Sequence, residues 1–337
     1  MTEELPQRHA TLDDVAAQAG VSRTVASRVI NGAPHVSQAK REAVERAIRK
    51  LGFVPNPKAR ALATRQAGAA ALVIARDDPG VLADPFFAQV MVGVSGALEE
   101  ADLHMMLCLA ATPRGRERVE QLVRSRAVDG VMLMALNEDD PLARLAKETP
   151  LPVVFGGRPM DFEPRWYVDI DNVGGARNAT EHLLLHGRSR VVTICGPLDT
   201  GVGDSRCRGY REAMVLAGLT PRPPEQADFS ETGGEAAMNR LLQAHPDLDG
   251  VFAANDNMAA GALRALRKAG RSVPGDVAVV GFDDLAVAQS VEPALTTVHQ
   301  PIRDLGREMV RMLVGVIAGR APSPLILPTH VVRRAST

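Results

Sequence analysis

The sequence contains few cysteines. Its 337 residues include three, Cys108, Cys195 and Cys207. An odd number argues against a scaffold of internal disulfides, and their spacing lacks the close pairs that bind structural zinc. We therefore expect a chain that folds without disulfides or zinc, in a reducing compartment such as the cytoplasm.

Long apolar runs are also absent. No stretch approaches the roughly 20 apolar residues that a membrane-spanning helix needs. The first residues, MTEELPQRHATLDD, are polar and include acids, which is unlike the positively charged start and apolar core of a signal peptide. We expect neither membrane insertion nor export.

Common catalytic signatures are missing as well. The glycine pair Gly174 and Gly175 lacks the lysine of a phosphate-binding loop, no GxGxxG follows a strand, and no serine lies in a GxSxG context. His182 and His186 have the spacing of a chelating pair on a helix, but no third ligand has matching spacing, and a histidine before Gly187 also suits a helix C-terminus. The sequence predicts no catalytic site, no metal site and no cofactor.

The charge is divided unevenly along the chain. The net charge is -1, yet residues 1–66 contain eleven lysines and arginines against six acids, a net charge of +5 that leaves -6 for the rest. A basic segment attached to an acidic body is typical of a domain that binds nucleic acid phosphates.

The basic segment begins with a capped helix. Thr11 and Asp14 have the spacing of a capping box, which predicts a helix over Leu12–Ala19 that ends at Gly20. Three residues then turn the chain. Ser22 can cap a second helix reaching about Ile30, with Val25, Ala26 and Val29 spaced to face the first helix. This is the outline of a helix-turn-helix.

The second helix presents a polar outer face. In a helix-turn-helix this helix enters the major groove, where arginine donors match the acceptors of guanine and a threonine can contact a base or a phosphate. The predicted reading residues are Arg23, Thr24 and Arg28, with Ser27 also on the outer face.

A third helix follows, and after it the start of a separate fourth helix. Ser37 and Gly52 delimit a predicted helix over Gln38–Leu51. Residues 53–57 are predicted to be extended, because a residue before proline is excluded from the helical region. Asn56 as cap and Pro57 at the first helical position then predict a short helix over 58–64 that carries Leu62. So short a helix is marginal when isolated.

From residue 69 onward, short apolar runs alternate with amphipathic stretches. This alternation predicts a parallel sheet covered by helices on both faces. Polar residues directly follow two of the runs, Asn255 with Asp256 and Asp283 with Asp284, which predicts a ligand cleft at the carboxyl ends of the strands. The predicted strands are 70–75, 104–109, 130–134, 152–155, 191–195, 250–253 and 277–281.

Several motifs resemble the lactose-repressor (LacI) family of bacterial transcription regulators. They are GVSRTVASRVIN, VSQAKREAVERAIRKLGFVPNPKARAL, VVFGGRP, DIDNVGGARNATEHLL, CGPLDTGVGDSRCRGYREAM, GVFAANDNMAAGALRAL and VAVVGFDDLAVAQSVEPALTTVHQPIRDLG. One departure is that the family usually has Thr where this chain has Val25 and Val where it has Ala26. A phosphate contact is therefore expected to be missing there.

The resemblance implies a fold. It consists of an all-α helix-turn-helix head over residues 1–53 and a hinge helix or linker over 54–67. These join a two-lobed α/β domain, like the periplasmic sugar-binding proteins, over 68–337. The chain would cross between the lobes near Asp169, Val298 and Leu325.

The resemblance also implies the functional residues. On the DNA side Leu62 would wedge into the minor groove and bend the duplex, and Ser22, Asn31, Asn56 and Ala59 would complete the contact. On the ligand side Arg206, Asp283 and Asn255 would hold hydroxyl groups and Phe229 would cover an apolar sugar face. Further ligand contacts would come from Phe86, Phe87, Asp171 and Gln300.

The implied protein is a homodimeric repressor of a palindromic double-stranded operator, controlled by a small molecule in the cleft. A sugar is favoured as effector, and nucleosides or purines come second because Phe86 and Phe87 suit a flat ring. Whether the ligand releases or promotes DNA binding is left open, as is dimer against tetramer. The alternative function is a cytoplasmic carbohydrate- or nucleoside-binding module without transcriptional action.

Overall fold

The structure is a computed structural model that describes residues 10–30, 35–54, 66–76 and 84–337. The chain divides into two compact units, Met1–Gly68 and Ala69–Thr337. The predicted helix over 58–64 and the predicted contact residues Asn31, Asn56, Ala59 and Leu62 lie outside the described residues.

The first unit contains the three predicted helices, α1 (Leu12–Ala19), α2 (Arg23–Ile30) and α3 (Gln38–Leu51). The capping box forms, since the Thr11 hydroxyl accepts from the Asp14 amide and the Asp14 carboxylate accepts from the Thr11 amide at 2.8 Å. Ser22 accepts from the Val25 amide at 3.3 Å. Ser37 occupies the predicted N-cap position of α3, although its side chain makes no capping hydrogen bond.

A small apolar core joins these helices. Val15 of α1, Ala26 and Val29 of α2, and Val44 of α3 are buried together. Val25 is only half-buried, so Ala26 and Val29 carry most of the packing against α1. Because buried and exposed positions alternate along α2, its polar face is exposed to solvent.

The second unit contains two six-stranded sheets, each flanked by helices. The strands of this unit are β1 (Ala69–Ile74), β2 (His104–Leu109), β3 (Gly130–Met134), β4 (Val153–Gly156), β5 (Tyr167–Ile170), β6 (Val191–Cys195), β7 (Glu225–Gln226), β8 (Gly250–Ala253), β9 (Ala278–Asp283), β10 (Thr296–His299), β11 (Leu325–Leu327) and β12 (His330–Val332). The first sheet has the order β11-β5-β4-β3-β1-β2 and the second β12-β10-β9-β8-β6-β7.

The helices of this unit follow the strands as the alternating pattern predicts. They are α4 (Pro85–Glu100), α5 (Pro113–Arg124), α6 (Pro141–Glu148), α7 (Asn172–Leu185), α8 (Gly201–Leu216), α9 (Glu231–Ala244), α10 (Asp256–Lys268), α11 (Ala286–Ser290) and α12 (Ile302–Ile317). Within the described part of the chain, no helix is long and apolar enough to span a membrane.

The strand pairing is parallel except between β10 and β12. In the first sheet Leu72 of β1 lies opposite Leu107 of β2 on one side and Met132 of β3 on the other. Four of the seven predicted strands have the predicted bounds and three are shifted by one or two residues. Strands β5, β7, β10, β11 and β12 were not predicted. Three of them, β7, β11 and β12, have only two or three residues, which is too few to show a period.

The chain passes between the sheets three times. The crossings follow Ile170 at the end of β5, His299 at the end of β10 and Leu327 at the end of β11. They lie within a few residues of the predicted crossing points near 169, 298 and 325. Each sheet is thereby the centre of one lobe, and the carboxyl ends of their parallel strands lie close to the crossings.

Two glycines allow α4 and α12 of the first lobe to pack closely. A Cβ on Gly93 would lie 2.0 Å from the carbonyl oxygen of Arg303, and one on Gly306 would lie 2.5 Å from that of Val90. The atoms in the way are backbone, so they cannot move aside as a flexible side chain can.

We expect Gly93→Ala to lower the free energy of unfolding by about 2 kcal/mol, because the added methyl forces the two helices apart. Gly96→Ala is the matched control in the same helix, since a Cβ there meets nothing within 4 Å and alanine favours the helix by about 0.5–1 kcal/mol. Urea unfolding of both variants measures the difference. Equal stability of Gly93→Ala and the parent protein would contradict this account of the packing.

Candidate ligand cleft and nucleic-acid interface

A cleft of about 900 Å³ lies between the two lobes. Its size is near the upper end of the range for small-molecule sites, about 300–1,000 Å³. Seven of the eight residues predicted as ligand contacts line it, and they come from both lobes and from a crossing. They are Phe86, Phe87, Arg206, Phe229, Asn255, Asp283 and Gln300.

A buried ion pair lies at the base of the cleft. Arg206 of α8 donates through Nη1 to Asp283 Oδ1 at 2.9 Å, and each residue is only 4% exposed. Arg206 Nη1 also donates to the carbonyl oxygen of Ala254 at 2.6 Å, and its Nε donates to Asn172 Oδ1 at 2.9 Å. The guanidinium carbon lies 3.7 Å from the centroid of the Phe282 ring. These contacts hold the guanidinium in one orientation.

One polar atom of each partner remains available. Among the described residues, neither Arg206 Nη2 nor Asp283 Oδ2 makes a hydrogen bond, and neither is a fully buried unpaired atom. Both residues line the cleft. A charged donor and a charged acceptor side by side can bind adjacent hydroxyl groups in a charge-assisted manner.

Burial alters the protonation of this pair. Burial is the largest cause and raises the pKa of Asp283; the charge of Asp84 acts in the same direction, Arg206 and Gln300 oppose it, and the net pKa is about 6. Burial also lowers the pKa of Arg206, with Asp283 opposing the shift. The carboxylate of Asp283 therefore changes charge near pH 6 although it faces an arginine.

Asn255 and Phe229 also line the cleft and are bonded to each other. Asn255 caps α10 by accepting from the Met258 amide at 2.8 Å, and its Nδ2 donates to the carbonyl oxygen of Phe229 at 3.0 Å. Phe229 has a φ of 68°, a strained value for a phenylalanine. A Cβ on Gly196 would lie 2.1 Å from Phe229 Cζ, so a glycine there leaves room for the ring.

Two predicted contacts have different roles in the structure. Asp171 does not line the cleft; its carboxylate caps α7 by accepting from the Gly174 amide at 2.9 Å. It caps the helix because it stands at the helix N-terminus, and its role as a ligand contact stays a prediction. Gln300 does line the cleft, and its Nε2 donates to Asp283 Oδ1, so it also orients that carboxylate.

Three of the lining residues that were not predicted, Arg158, Asp169 and Asn172, are joined to Arg206 by hydrogen bonds. Arg158 Nε donates to Asp169 Oδ2 at 2.8 Å, and Asp169 Oδ1 accepts from Asn172 Nδ2 at 3.1 Å. Asn172 in turn orients Arg206. The motifs GGRP and DIDN contain these residues. However, only the fold shows that hydrogen bonds connect the side chains of Arg158, Asp169, Asn172 and Arg206 from one lobe to the other.

Backbone and side-chain contacts join the lobes around the cleft. The Glu138 amide of the first lobe donates to the Asp199 carbonyl oxygen of the second at 2.7 Å. Elsewhere Arg76 of the first lobe donates through Nη2 to the carbonyl oxygen of Asp228. In the described structure the two lobes therefore contact each other directly beside the cleft.

The predicted reading face is exposed on the head. Ser22, Arg23, Thr24 and Arg28 are exposed, and Ser27 is half-buried. Arg23 Nε lies 3.5 Å from Asp13 Oδ1 of α1. A DNA contact by Arg23 would compete with this exposed ion pair, which is worth little by itself.

The histidine pair has structural contacts. His182 Nε2 lies 3.0 Å from the Thr337 hydroxyl, and His186 Nδ1 lies 2.7 Å from the carbonyl oxygen of His182. Burial, together with the nearby charges of His186 and Arg333, lowers the pKa of His182 to about 4. In the described ranges, no three side chains of His, Cys, Asp or Glu are grouped so that they could hold a metal ion.

We expect the unfolding free energy of the parent protein, relative to Asp283→Asn, to fall as the pH rises from 4.5 to 7. The pKa of Asp283 is raised from 3.8 to about 6 by folding, so between these values the folded state binds more protons than the unfolded state. Urea unfolding at several pH values measures this.

Asp247→Asn is the control for that experiment. Asp247 is a surface carboxylate of the same lobe whose pKa is lowered by hydrogen bonds from Arg222. It therefore does not make the unfolding free energy fall between pH 4.5 and 7. A difference between the parent protein and Asp283→Asn that stays constant with pH would contradict the raised pKa of Asp283.

Comparison with known families gives two matches. The model of bacterial regulatory proteins of the lacI family matches residues 11–56, and that of a periplasmic binding protein-like domain matches residues 180–337. The two matches cover the head and the second lobe with its flanking segments.

Two relatives match nearly the whole chain. The HTH-type transcriptional regulator CelR of Thermobifida fusca is 46% identical over 336 residues, covering 98% of this chain and 99% of the relative. The ribose operon repressor of Escherichia coli (strain K12) is 35% identical over 311 residues, covering 90% and 92%.

Two solved structures are similar over the same extent. A transcriptional regulator CelR-cellobiose complex has 45% identity and a TM-score of 0.78, covering 97% of this chain and all of that chain. The lac repressor dimer bound to operator and the anti-inducer ONPF has 27% identity and a TM-score of 0.87, covering 98% and 99%.

Proposed function

The chain belongs to the LacI family of bacterial regulatory proteins and is a DNA-binding transcriptional regulator, and we propose that it is a repressor whose effector is a β-linked glucose disaccharide such as cellobiose. The disaccharide binds in the cleft between the lobes, and its binding changes the affinity of the head for operator DNA.

The observation that carries the effector proposal is the arrangement around Arg206 and Asp283. Their free Nη2 and Oδ2 atoms can bind adjacent hydroxyls, and Phe229 offers a ring to the apolar face of a sugar. The cleft of about 900 Å³ is larger than a single sugar ring requires. The CelR relative, 46% identical, supports cellobiose as the first compound to test.

The domain arrangement of the proposal follows the sequence prediction. Residues 1–53 form the DNA-reading head, residues 54–67 with Leu62 form the hinge, and residues 68–337 bind the effector and dimerise. A two-fold dimer reads a palindromic operator because each head covers one half-site. Such a regulator acts where the chromosome is, in the cytoplasm, and carries out no catalysis.

We expect cellobiose to bind the full chain and Asp283→Asn to weaken binding by about 10-fold or more, because the substitution removes a charged acceptor. Isothermal titration calorimetry measures both affinities. Asp247→Asn is the control, since Asp247 also pairs with an arginine but lies on the surface of the same lobe, outside the cleft.

Two results would contradict the effector proposal. One is the absence of cellobiose binding to the parent protein, and the other is an unchanged affinity in Asp283→Asn. A parallel titration with lactose and with adenosine separates a glucose disaccharide from other sugars and from nucleosides.

We expect Arg23→Ala to reduce the preference for operator over unrelated DNA by about 10- to 100-fold, as the loss of a base-reading arginine does. Arg46→Ala is the control, because Arg46 is exposed on α3 and lies 4.0 Å from Glu42; it is expected to change affinity for both DNAs alike. Fluorescence anisotropy with both DNAs at one salt concentration measures the ratio. A ratio that Arg23→Ala leaves unchanged would remove Arg23 from the reading residues.

A further inference from the structure

Arg76 reaches from the first lobe to the second. It follows β1 by two residues, and its Nη2 donates to the carbonyl oxygen of Asp228, which lies between β7 and α9. The guanidinium carbon is 5.5 Å from the centroid of the Phe229 ring. One side chain therefore makes both a charge-assisted hydrogen bond and a ring contact with the same turn of the other lobe.

Arg76 is anchored in its own lobe by Asp84. Arg76 Nη1 lies 3.7 Å from Asp84 Oδ2, and the two side chains are only 18% and 14% exposed. Asp84 Oδ1 also caps α4 by accepting from the Phe86 amide at 3.0 Å. The guanidinium is thus attached to the start of the helix that carries Phe86 and Phe87 into the cleft.

The turn that Arg76 contacts is held on its other side by the second lobe. Asn255 donates to the Phe229 carbonyl oxygen, and the Asp228 carboxylate accepts from the Ser230 amide at 3.0 Å. This turn moves with the second lobe, so a separation of the lobes breaks the bond from Arg76.

We propose that Arg76 is a latch between the lobes that stabilises their closed arrangement and thereby sets the affinity for the effector. The contact exists only when the lobes are closed, so its free energy favours that state. A ligand that binds the closed state then binds more tightly in proportion to the closed population. The statement about effector affinity rests on the proposed function, whereas the statement about closure rests on the contacts alone.

The contact between Glu138 and Asp199 joins the lobes through backbone atoms, which a side-chain substitution leaves in place. The contact of Arg76 is made by a side chain. A single substitution can therefore remove it, and this allows a direct test.

The test compares Arg76→Ala, Arg76→Lys and the control Arg165→Ala in the full chain. Arg165 also carries a positive charge over an aromatic ring, that of Trp166 at 4.7 Å, but both residues belong to the first lobe and neither lines the cleft. Lysine keeps the charge of Arg76 but not the planar fork that spans Asp84 and Asp228.

Binding kinetics with cellobiose give the first readout. We expect Arg76→Ala to raise the dissociation rate about 10-fold or more, the scale of a lost hydrogen bond to a charged group, with little change in the association rate. The dissociation rate of Arg76→Lys is expected to lie between those of Arg76→Ala and the parent protein. The rate of Arg165→Ala is expected to equal that of the parent protein. Equal dissociation rates for Arg76→Ala and the parent protein would overturn the role in affinity.

Amide hydrogen exchange of the ligand-free chain gives the second readout. We expect the amides of residues 228–233 to exchange faster in Arg76→Ala than in the parent protein or Arg165→Ala. Unchanged exchange would overturn the latch whether or not cellobiose binds. Faster exchange in a protein that does not bind cellobiose would support the latch and reject the effector.

Discussion

The ion pair between Arg206 and Asp283 is the interaction on which the cleft depends. Removing two charges from water carries a desolvation cost of several kcal/mol per ion, and a buried pair is tolerated only when its remaining polar atoms are well bonded. Here Asn172 and the carbonyl oxygen of Ala254 bond Arg206, and Gln300 bonds Asp283. The two polar atoms left without a partner, Arg206 Nη2 and Asp283 Oδ2, are not fully buried. The pair therefore requires α8, β8, β9 and the second crossing to be in place at once. Loss of either partner would leave an uncompensated charge in the core of the second lobe.

The three crossings explain how such a site can also sense a ligand. The pair belongs to the second lobe, but Asn172 at the first crossing also bonds Asp169, which holds Arg158 of the first lobe. A ligand that occupies Arg206 and Asp283 thus acts on a chain of hydrogen bonds that ends in the other lobe. Arg76 and the Glu138 amide contribute separate contacts across the cleft. A ligand that binds one arrangement of the lobes better than another shifts the population toward that arrangement.

The sequence predicted the regular elements well where several physical signals coincide. The head helices have N-cap residues and apolar spacing that agree, α1 and α3 also end at glycines, and the observed bounds match. Strands of four to six residues such as β2, β3, β6 and β8 were also located at their predicted bounds. The very short β7, β11 and β12 were missed because they carry no periodic signal, and Ser37 stands at a helix start without bonding to it. A local sequence pattern thus predicts a helix or strand only when that element is long enough to show the periodic spacing of its apolar residues.

For the candidate site, the sequence determined which residue types were present and which motifs carried them, and this was sufficient to predict seven of the lining residues. Only the tertiary structure decided how they are used. It paired Arg206 with Asp283, turned Asp171 into a helix cap, made Gln300 a support for Asp283 and brought Arg76 within reach of Asp228, 152 positions away. The physical reason is that a side chain's partners across a cleft are set by the packing of two sheets, and neither spacing nor composition encodes those distances.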